Sequence, residues 1–365
     1  MAPPPTVSVS SSEPPKLHAS DIGSIKAFAD SNGLSPIPSS YYSIVEARDD
    51  VADHLASSIP VIDFSLLTSD HPQIHADAVS QLGKACADWG FFMVTNHGIS
   101  EKLMEEVMNK AHEFHNLPVE EKKEFGDKGP WAPIRHGTSF FPQAEKVHFW
   151  RDYLKLITSP QFNFPHKPPG FKEVAYDYSR KIRAVARTLL QGISESLGLE
   201  SKALEDCTGF DSGLQVFAVN LYPPCPQPEL ALGMPPHTDH GLLTLLYQNE
   251  IGGLQVKHDG KWVNVNPLPN CLIANVADQL EAVSNGKCKS ILHRAVLNNR
   301  NTRISIPLVN GPEVEKEIGP ASELLEKEEP LYKTIKYRDY FQLQQEIRFN
   351  ADKGALDEIR LNRQN

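Results

Sequence analysis

The sequence predicts an α+β protein in which short antiparallel strands build a sandwich or jelly roll flanked by helices. Two observations carry this. From Leu214 to Val309, short apolar runs recur between turn residues: LQVFAVNLY, GLLTLLYQ, GLQVKHDGKWVNVNP, CLIANVA, KSILHRAVL and TRISIPLV. Strands at that cadence fit a sandwich or jelly roll better than a parallel sheet, and Asp259-Gly260 and Asn285-Gly286 read as hairpin turns. Upstream the period lengthens to that of a helix. From about Asp177 to Leu197, Ile182, Val185, Leu189, Ile193 and Leu197 share one face, with Gly198 as the stop.

Residues 1–58 read as a flexible N-terminal extension, a Pro/Ser-rich tail followed by a helix near Ser24–Ala29. The tail lacks the charged start and apolar centre of a signal peptide. IPVIDFSLL, from Ile59, reads as a buried strand. A helix from about Gln73 to Trp89, a strand in FFMVTNHGI and a helix from about Ser100 to His115 follow. KEFGDKGPWAPIRHGTSFFPQAEK is Gly/Pro-rich and reads as an irregular loop over a site. FWRDYLKLI returns to a strand pattern, and a helix from about Tyr337 to Phe349 closes the chain. The expected division is an extension (1–58), an N-terminal domain (59–175), a jelly-roll domain with flanking helices (176–350) and a C-terminal tail (351–365).

The 365 residues, 40% hydrophobic and 22% charged, suffice for a large core. A net charge of -10 without a basic stripe argues against nucleic acid. No apolar run reaches membrane-spanning length. Cys86, Cys207, Cys225, Cys271 and Cys288 are odd in number and form no Cys-x-x-Cys, which fits a reducing cytosol rather than a disulfide framework. A cytoplasmic monomer is the expectation.

Candidate chemistry begins at PPHTDHGLLTLLYQ, residues 235–248, where His237, Asp239 and His240 head an apolar run. A His-x-Asp triplet is a cheap signal, and His75 and Asp77 form another. Those two lie in a helical pattern, where positions two apart diverge by about 200° and cannot grip one ion. On a strand, positions two apart share a face. Reading His237 as the start of a strand makes His237 and Asp239 a chelate candidate, with His240 on the opposite face. His293, inside SILHRAVL, alone reads as an ordinary buried histidine. With the other two it completes the two-His-one-carboxylate set of non-haem iron oxygenases, although zinc accepts the same ligands. Arg303 and Ser305 share a face in TRISIPL, as do Asn220 and Tyr222 in VFAVNLY. A guanidinium fork with a hydroxyl suits a carboxylate.

Taken together and in order, these motifs resemble the plant 2-oxoglutarate/Fe(II)-dependent dioxygenase family over nearly the whole chain. IPVIDFS through WGFFMVTNHGI is similar to its N-terminal domain. NLYPPCPQPELALG, HTDHGLLTLLYQ, IGGLQV, DGKWVNVNP, SNGKCKSILHRA and TRISI are similar to its catalytic domain. The resemblance implies a distorted double-stranded β-helix (jelly roll). It implies Fe(II) on His237, Asp239 and His293, and 2-oxoglutarate on Arg303, Ser305, Tyr222 and Asn220, with ascorbate as reductant. The implied reaction uses dioxygen to convert 2-oxoglutarate to succinate and carbon dioxide. The organic substrate is hydroxylated, desaturated or demethylated. One departure is Ala277 in NVADQLE, where many members carry glycine; the methyl is tolerable unless that backbone needs a positive φ.

Strand alternation extends the pocket to Ala218 and Val309, and to Tyr153 and Lys155 in FWRDYLKL, with Phe140 and Phe141 in the irregular stretch before it. The expected substrate is a small, largely apolar plant metabolite. Members acting on flavonoids carry an aromatic residue at the place of Val309, which argues against a flavonoid. Lys155 could meet a substrate carboxylate or phenolate, or serve a structural salt bridge. Alternatives are a hydrolase using the same triad, a non-catalytic jelly-roll binding protein, and an oxoglutarate-independent oxidase resembling aminocyclopropane carboxylate oxidase.

Overall fold

The computed structural model describes residues 23–32, 36–43, 51–126, 128–138, 147–347 and 354–361. Twelve strands make its two main sheets: β1 (Val61–Asp63), β2 (Phe91–Thr95), β3 (Ile134–Gly137), β4 (Asp152–Ser159), β5 (Gln215–Tyr222), β6 (Met234–His237), β7 (Leu243–Gln248), β8 (Leu254–His258), β9 (Lys261–Val265), β10 (Leu272–Val276), β11 (His293–Ala295) and β12 (Arg303–Asn310). The larger sheet runs β1-β2-β10-β7-β12-β5-β4-β3 and the smaller β6-β11-β8-β9. All pairings within them are antiparallel except β1 with β2. The jelly roll expected from the strand cadence is the observed core.

The helix Phe171–Ser196 lies on the larger sheet and buries Ile182, Val185, Leu189 and Ile193. They join Leu82, Phe217, Leu245 and Ile306 in one cluster. It begins earlier than its densest periodicity indicated, because Phe171, Ala175 and Tyr178 continue the same buried stripe. Gly198, at φ 79°, takes the left-handed geometry that ends it. Asp259 (φ 48°) and Gly260 (φ 78°) make the expected two-residue turn between β8 and β9.

Several elements differ from expectation. IPVIDFSLL is extended only over β1, because Asp63 accepts from the Ser65 N–H at 3.0 Å and caps a short helix, Phe64–Leu67. Asn285 and Gly286 have positive φ, but they close the helix Asp278–Val283 instead of joining two strands. The Gly/Pro-rich stretch contains β3. Phe140 and Phe141 lie outside the described residues, as does the end of the helix expected to reach Phe349; its described part is Tyr337–Ile347. Parts of both termini are packed. Ile25, Ile37 and Tyr41 are buried with Trp150 and Cys225, and Leu356 and Ile359 with Tyr332 and Tyr340. Among the described residues, no helix is long and apolar enough to cross a membrane.

Candidate metal centre and cavity

His237 does not open a strand; it ends one. Pro235 and Pro236 lack N–H donors, so their segment is confined to a sheet edge, and β6 is the edge of the smaller sheet. Asp239 sits in the connection to β7. What unites the candidates is register, since His293 on β11 lies directly opposite His237 on β6. The two rings are 4.2 Å apart, centre to centre. Asp239 Oδ1 is 3.9 Å from His237 Nε2, and its Oδ2 is 3.9 Å from His293 Nε2. Ligand atoms of all three lie within 4.8 Å of one another.

Each side chain is aimed by a second contact. His237 Nδ1 meets the Pro235 carbonyl at 2.8 Å and His293 Nδ1 the Ile291 carbonyl at 3.2 Å. As donors there, both rings turn the Nε2 lone pair toward Asp239. Asp239 Oδ2 accepts from Thr244 Oγ1 (2.6 Å) and Asn275 Nδ2 (2.9 Å). Burial pushes this carboxyl upward, but His293, His237 and these hydrogen bonds hold it well below the ordinary carboxylate range. Gly241 lets the connection lie on β12: a Cβ there would meet the Asn310 carbonyl at 2.7 Å. The Asp278 N–H donates to the Asp239 carbonyl at 2.8 Å. Ala277, before it, has φ -114°, so its methyl needs no glycine.

His240 points elsewhere, with Nδ1 2.7 Å from the Tyr337 hydroxyl. The decoy pair is also spoken for. His75 contacts Glu195 at 2.6 Å and the Leu67 carbonyl at 2.9 Å, while Asp77 accepts from Gln73.

The triad faces a cavity of about 1150 Å³ including its open mouth. Arg303 and Ser305 line it from β12, and Asn220 and Tyr222 from β5; Arg303 pairs with Tyr222, and Ser305 with Asn220, across the ladder. Arg303 is 2% exposed. Its Nε and one terminal nitrogen donate to Gln248 Oε1 at 3.2 and 2.7 Å, and its guanidinium carbon lies 4.9 Å from the centre of the Tyr222 ring. The other terminal nitrogen is buried without a hydrogen-bond partner.

Ala218, Val309 and Lys155 line the same cavity. Tyr153 lies beneath it, fully buried, its ring centre 5.2 Å from the guanidinium carbon of Arg151 and 5.7 Å from Lys155 Nζ. Three lining cations, Arg151, Arg135 and Arg294, escaped the sequence reading. Arg151, which donates to Asn220 at 2.8 Å, sits two residues before Tyr153, so the alternation that selected Tyr153 and Lys155 could have found it. Arg135 lies on β3, inside the stretch read as irregular.

A jelly roll that gathers two histidines and one carboxylate at a buried cavity has the frame of a mononuclear non-haem metal oxygenase. Comparison with known proteins gives the family. The 2OG-Fe(II) oxygenase superfamily matches residues 213–312, and the family described as non-haem dioxygenase in morphine synthesis N-terminal matches residues 59–174. The chain is 41% identical over 329 residues to 2-oxoglutarate-dependent dioxygenase 19 of Oryza sativa subsp. japonica, covering 90% of this chain and 97% of the relative. It is 43% identical over 289 residues to Flavanone 3-dioxygenase 2 of the same organism, covering 78% and 82%. The crystal structure of JOX2 in complex with 2OG, Fe and JA superposes with a TM-score of 0.81 at 29% identity, covering 93% of this chain and 98% of that one. The chain belongs to the 2OG-Fe(II) oxygenase superfamily and is a 2-oxoglutarate-dependent dioxygenase.

Proposed function

We propose that this enzyme oxidises a C–H bond of a small plant metabolite by hydroxylation, desaturation or demethylation, and releases succinate and carbon dioxide from 2-oxoglutarate. His237, Asp239 and His293 hold Fe(II). Arg303, Ser305, Tyr222 and Asn220 hold the co-substrate. Bound iron supplies the site at which dioxygen is activated. The carrying observation is that Arg303, a buried cation with an unpartnered terminal nitrogen, opens onto the same cavity as the triad. A carboxylate there would satisfy both the charge and the donor.

The residues divide the work. His237 and His293 are held by their Nδ1 contacts to backbone carbonyls, which leaves each Nε2 facing the position the metal would take. Asp239 stays ionised, and Thr244 and Asn275 fix its orientation. Arg303 orients the co-substrate from its far end, leaving the wall around Ala218 and Val309 to the organic substrate. The proposed division of the chain is an N-terminal domain over 59–175 and the oxygenase domain over 176–350.

The test is succinate release by the purified chain with Fe(II), 2-oxoglutarate, dioxygen and ascorbate, with and without a plant metabolite extract screened for mass changes. Omitting iron or 2-oxoglutarate should abolish both signals. Substrate oxidation that persists without 2-oxoglutarate would instead assign the chain to the oxoglutarate-independent oxidases.

A further inference from the structure

Arg135 is 5% exposed and lines the cavity. The other lining arginines are engaged: Arg303 with Gln248, Arg151 with Asn220, and Arg294 with Gln255 while lying over Trp262. Among the described residues, no side chain or carbonyl accepts a hydrogen bond from the Arg135 guanidinium, and no carboxylate pairs with it. Asp239 is the one carboxylate among the described residues lining the cavity, and it is committed to the two histidines. The guanidinium thus reaches the cavity with no protein anion beside it among the described residues, a position that the carboxylate of a ligand would fill.

We infer that the organic substrate carries a carboxylate and that Arg135 binds it. This rests on the oxygenase reading above and adds the substrate class. Register supplies the geometry. Arg135 on β3 lies opposite Lys155 on β4, and Lys155 opposite Ala218 on β5. One row thus runs from two cations to a small apolar residue on the cavity wall. Ile157 and Val216, paired one step along, add apolar lining. An acid whose head meets Arg135 would lay its hydrocarbon body along Ile157, Val216 and Ala218.

The 2-oxoglutarate carboxylate does not explain Arg135. In the sheet, β5 and β4 separate β12 from β3. Three strand spacings of about 4.8 Å put the backbones of the Arg303 and Arg135 strands roughly 14 Å apart along the sheet. A five-carbon diacid spanning from the triad to Arg303 has no carboxylate left for a second arginine.

The experiment uses trans-cinnamic, ferulic and phenylacetic acids, each compared with its methyl ester. Binding is measured by anaerobic calorimetry on the chain loaded with Fe(II) and 2-oxoglutarate. At least one acid is expected to bind about ten- to hundredfold tighter than its ester, the range a charge-assisted hydrogen bond provides. Arg135→Gln should erase that preference. The Tm of the ligand-free chain should not fall, since no protein partner is lost; a residue held in a structural ion pair would lower it. Should Arg135→Gln fold poorly, Arg135→Lys keeps the charge without the fork and should reduce the preference rather than erase it. No acid preferred over its ester, or a preference unchanged in the variant, overturns the assignment. Iron-dependent succinate release by the unaltered chain, with no organic acid present, tests the oxygenase reading separately.

Discussion

Replacing Arg303 with lysine keeps one positive charge and removes the planar fork. In the folded chain that fork does two jobs. Nε and one terminal nitrogen chelate Gln248 Oε1 at 3.2 and 2.7 Å, which fixes the plane, while the other terminal nitrogen is left for a ligand. An ammonium that reaches Gln248 gives up the second direction, and one that reaches the ligand gives up its tether. The loss is about one charge-assisted hydrogen bond, roughly 1.5–3 kcal/mol. At about 1.4 kcal/mol per tenfold, the apparent KM for 2-oxoglutarate should rise about ten- to hundredfold. The assay is initial succinate release against 2-oxoglutarate concentration at saturating iron. Iron affinity should hardly change, because the triad does not touch Arg303. An unchanged KM for 2-oxoglutarate would refute the reasoning and move the anchor elsewhere.

His293→Ala should abolish stoichiometric Fe(II) binding with the fold intact, whereas His240→Gln should keep it, since His240 turns to Tyr337; anaerobic iron titration and circular dichroism read both. Thr244→Val removes the 2.6 Å bond to Asp239 Oδ2 and leaves Asn275 alone to orient the carboxylate. Iron affinity or activity should fall by about ten- to hundredfold, and an unchanged iron titration and turnover would show that Asn275 suffices. His75 is raised above its ordinary value of 6.5 chiefly by its hydrogen bond to Glu195. Its contribution to stability is therefore complete below that value and fades as pH rises through the folded one. The pair is partly exposed, so the effect is a few tenths to about 1 kcal/mol. Denaturant melts of wild type and His75→Gln should converge as pH is raised above neutrality.

Period carried most of the fold into view. The buried stripe from Ile182 to Ile193, the Asp259-Gly260 hairpin and the runs that became β5, β7, β10 and β12 were legible because burial on one face imposes a spacing. Short elements were not. Asp63 stops β1 after three residues, and β3 is four residues in a Gly/Pro-rich stretch, too brief for alternation to register. The site shows the same divide. Residues on long strands, such as Arg303, Ser305, Asn220 and Tyr222, were placed by alternation. His237 and Asp239 were paired as members of one strand, whereas His237 ends β6 and Asp239 lies beyond it; what brings His293 to them is a cross-strand register with a segment 56 residues away, which leaves no local trace. Arg135 was invisible because its interest lies in what it does not contact.

Arg151 and Asp152 are neighbours on a wall with two sides. Arg151 reaches Asn220 in the cavity, while Asp152, fully buried, accepts from Ser24 Oγ (2.6 Å) and from the N–H groups of Ile25 (2.7 Å) and Lys26 (3.2 Å) at the start of the helix Ile25–Asn32. The carboxylate of one strand thus caps a helix more than a hundred residues away in sequence. Trimming the chain ahead of residue 59, a natural step when designing a shorter protein for crystallisation, would strip these three donors from the buried Asp152 carboxyl, next in sequence to the cavity-lining Arg151. Residues 23–32 should accordingly be handled as part of the catalytic body, and a library built to retune substrate choice could diversify Ser24 and Ile25 as a way of shifting Arg151 from behind.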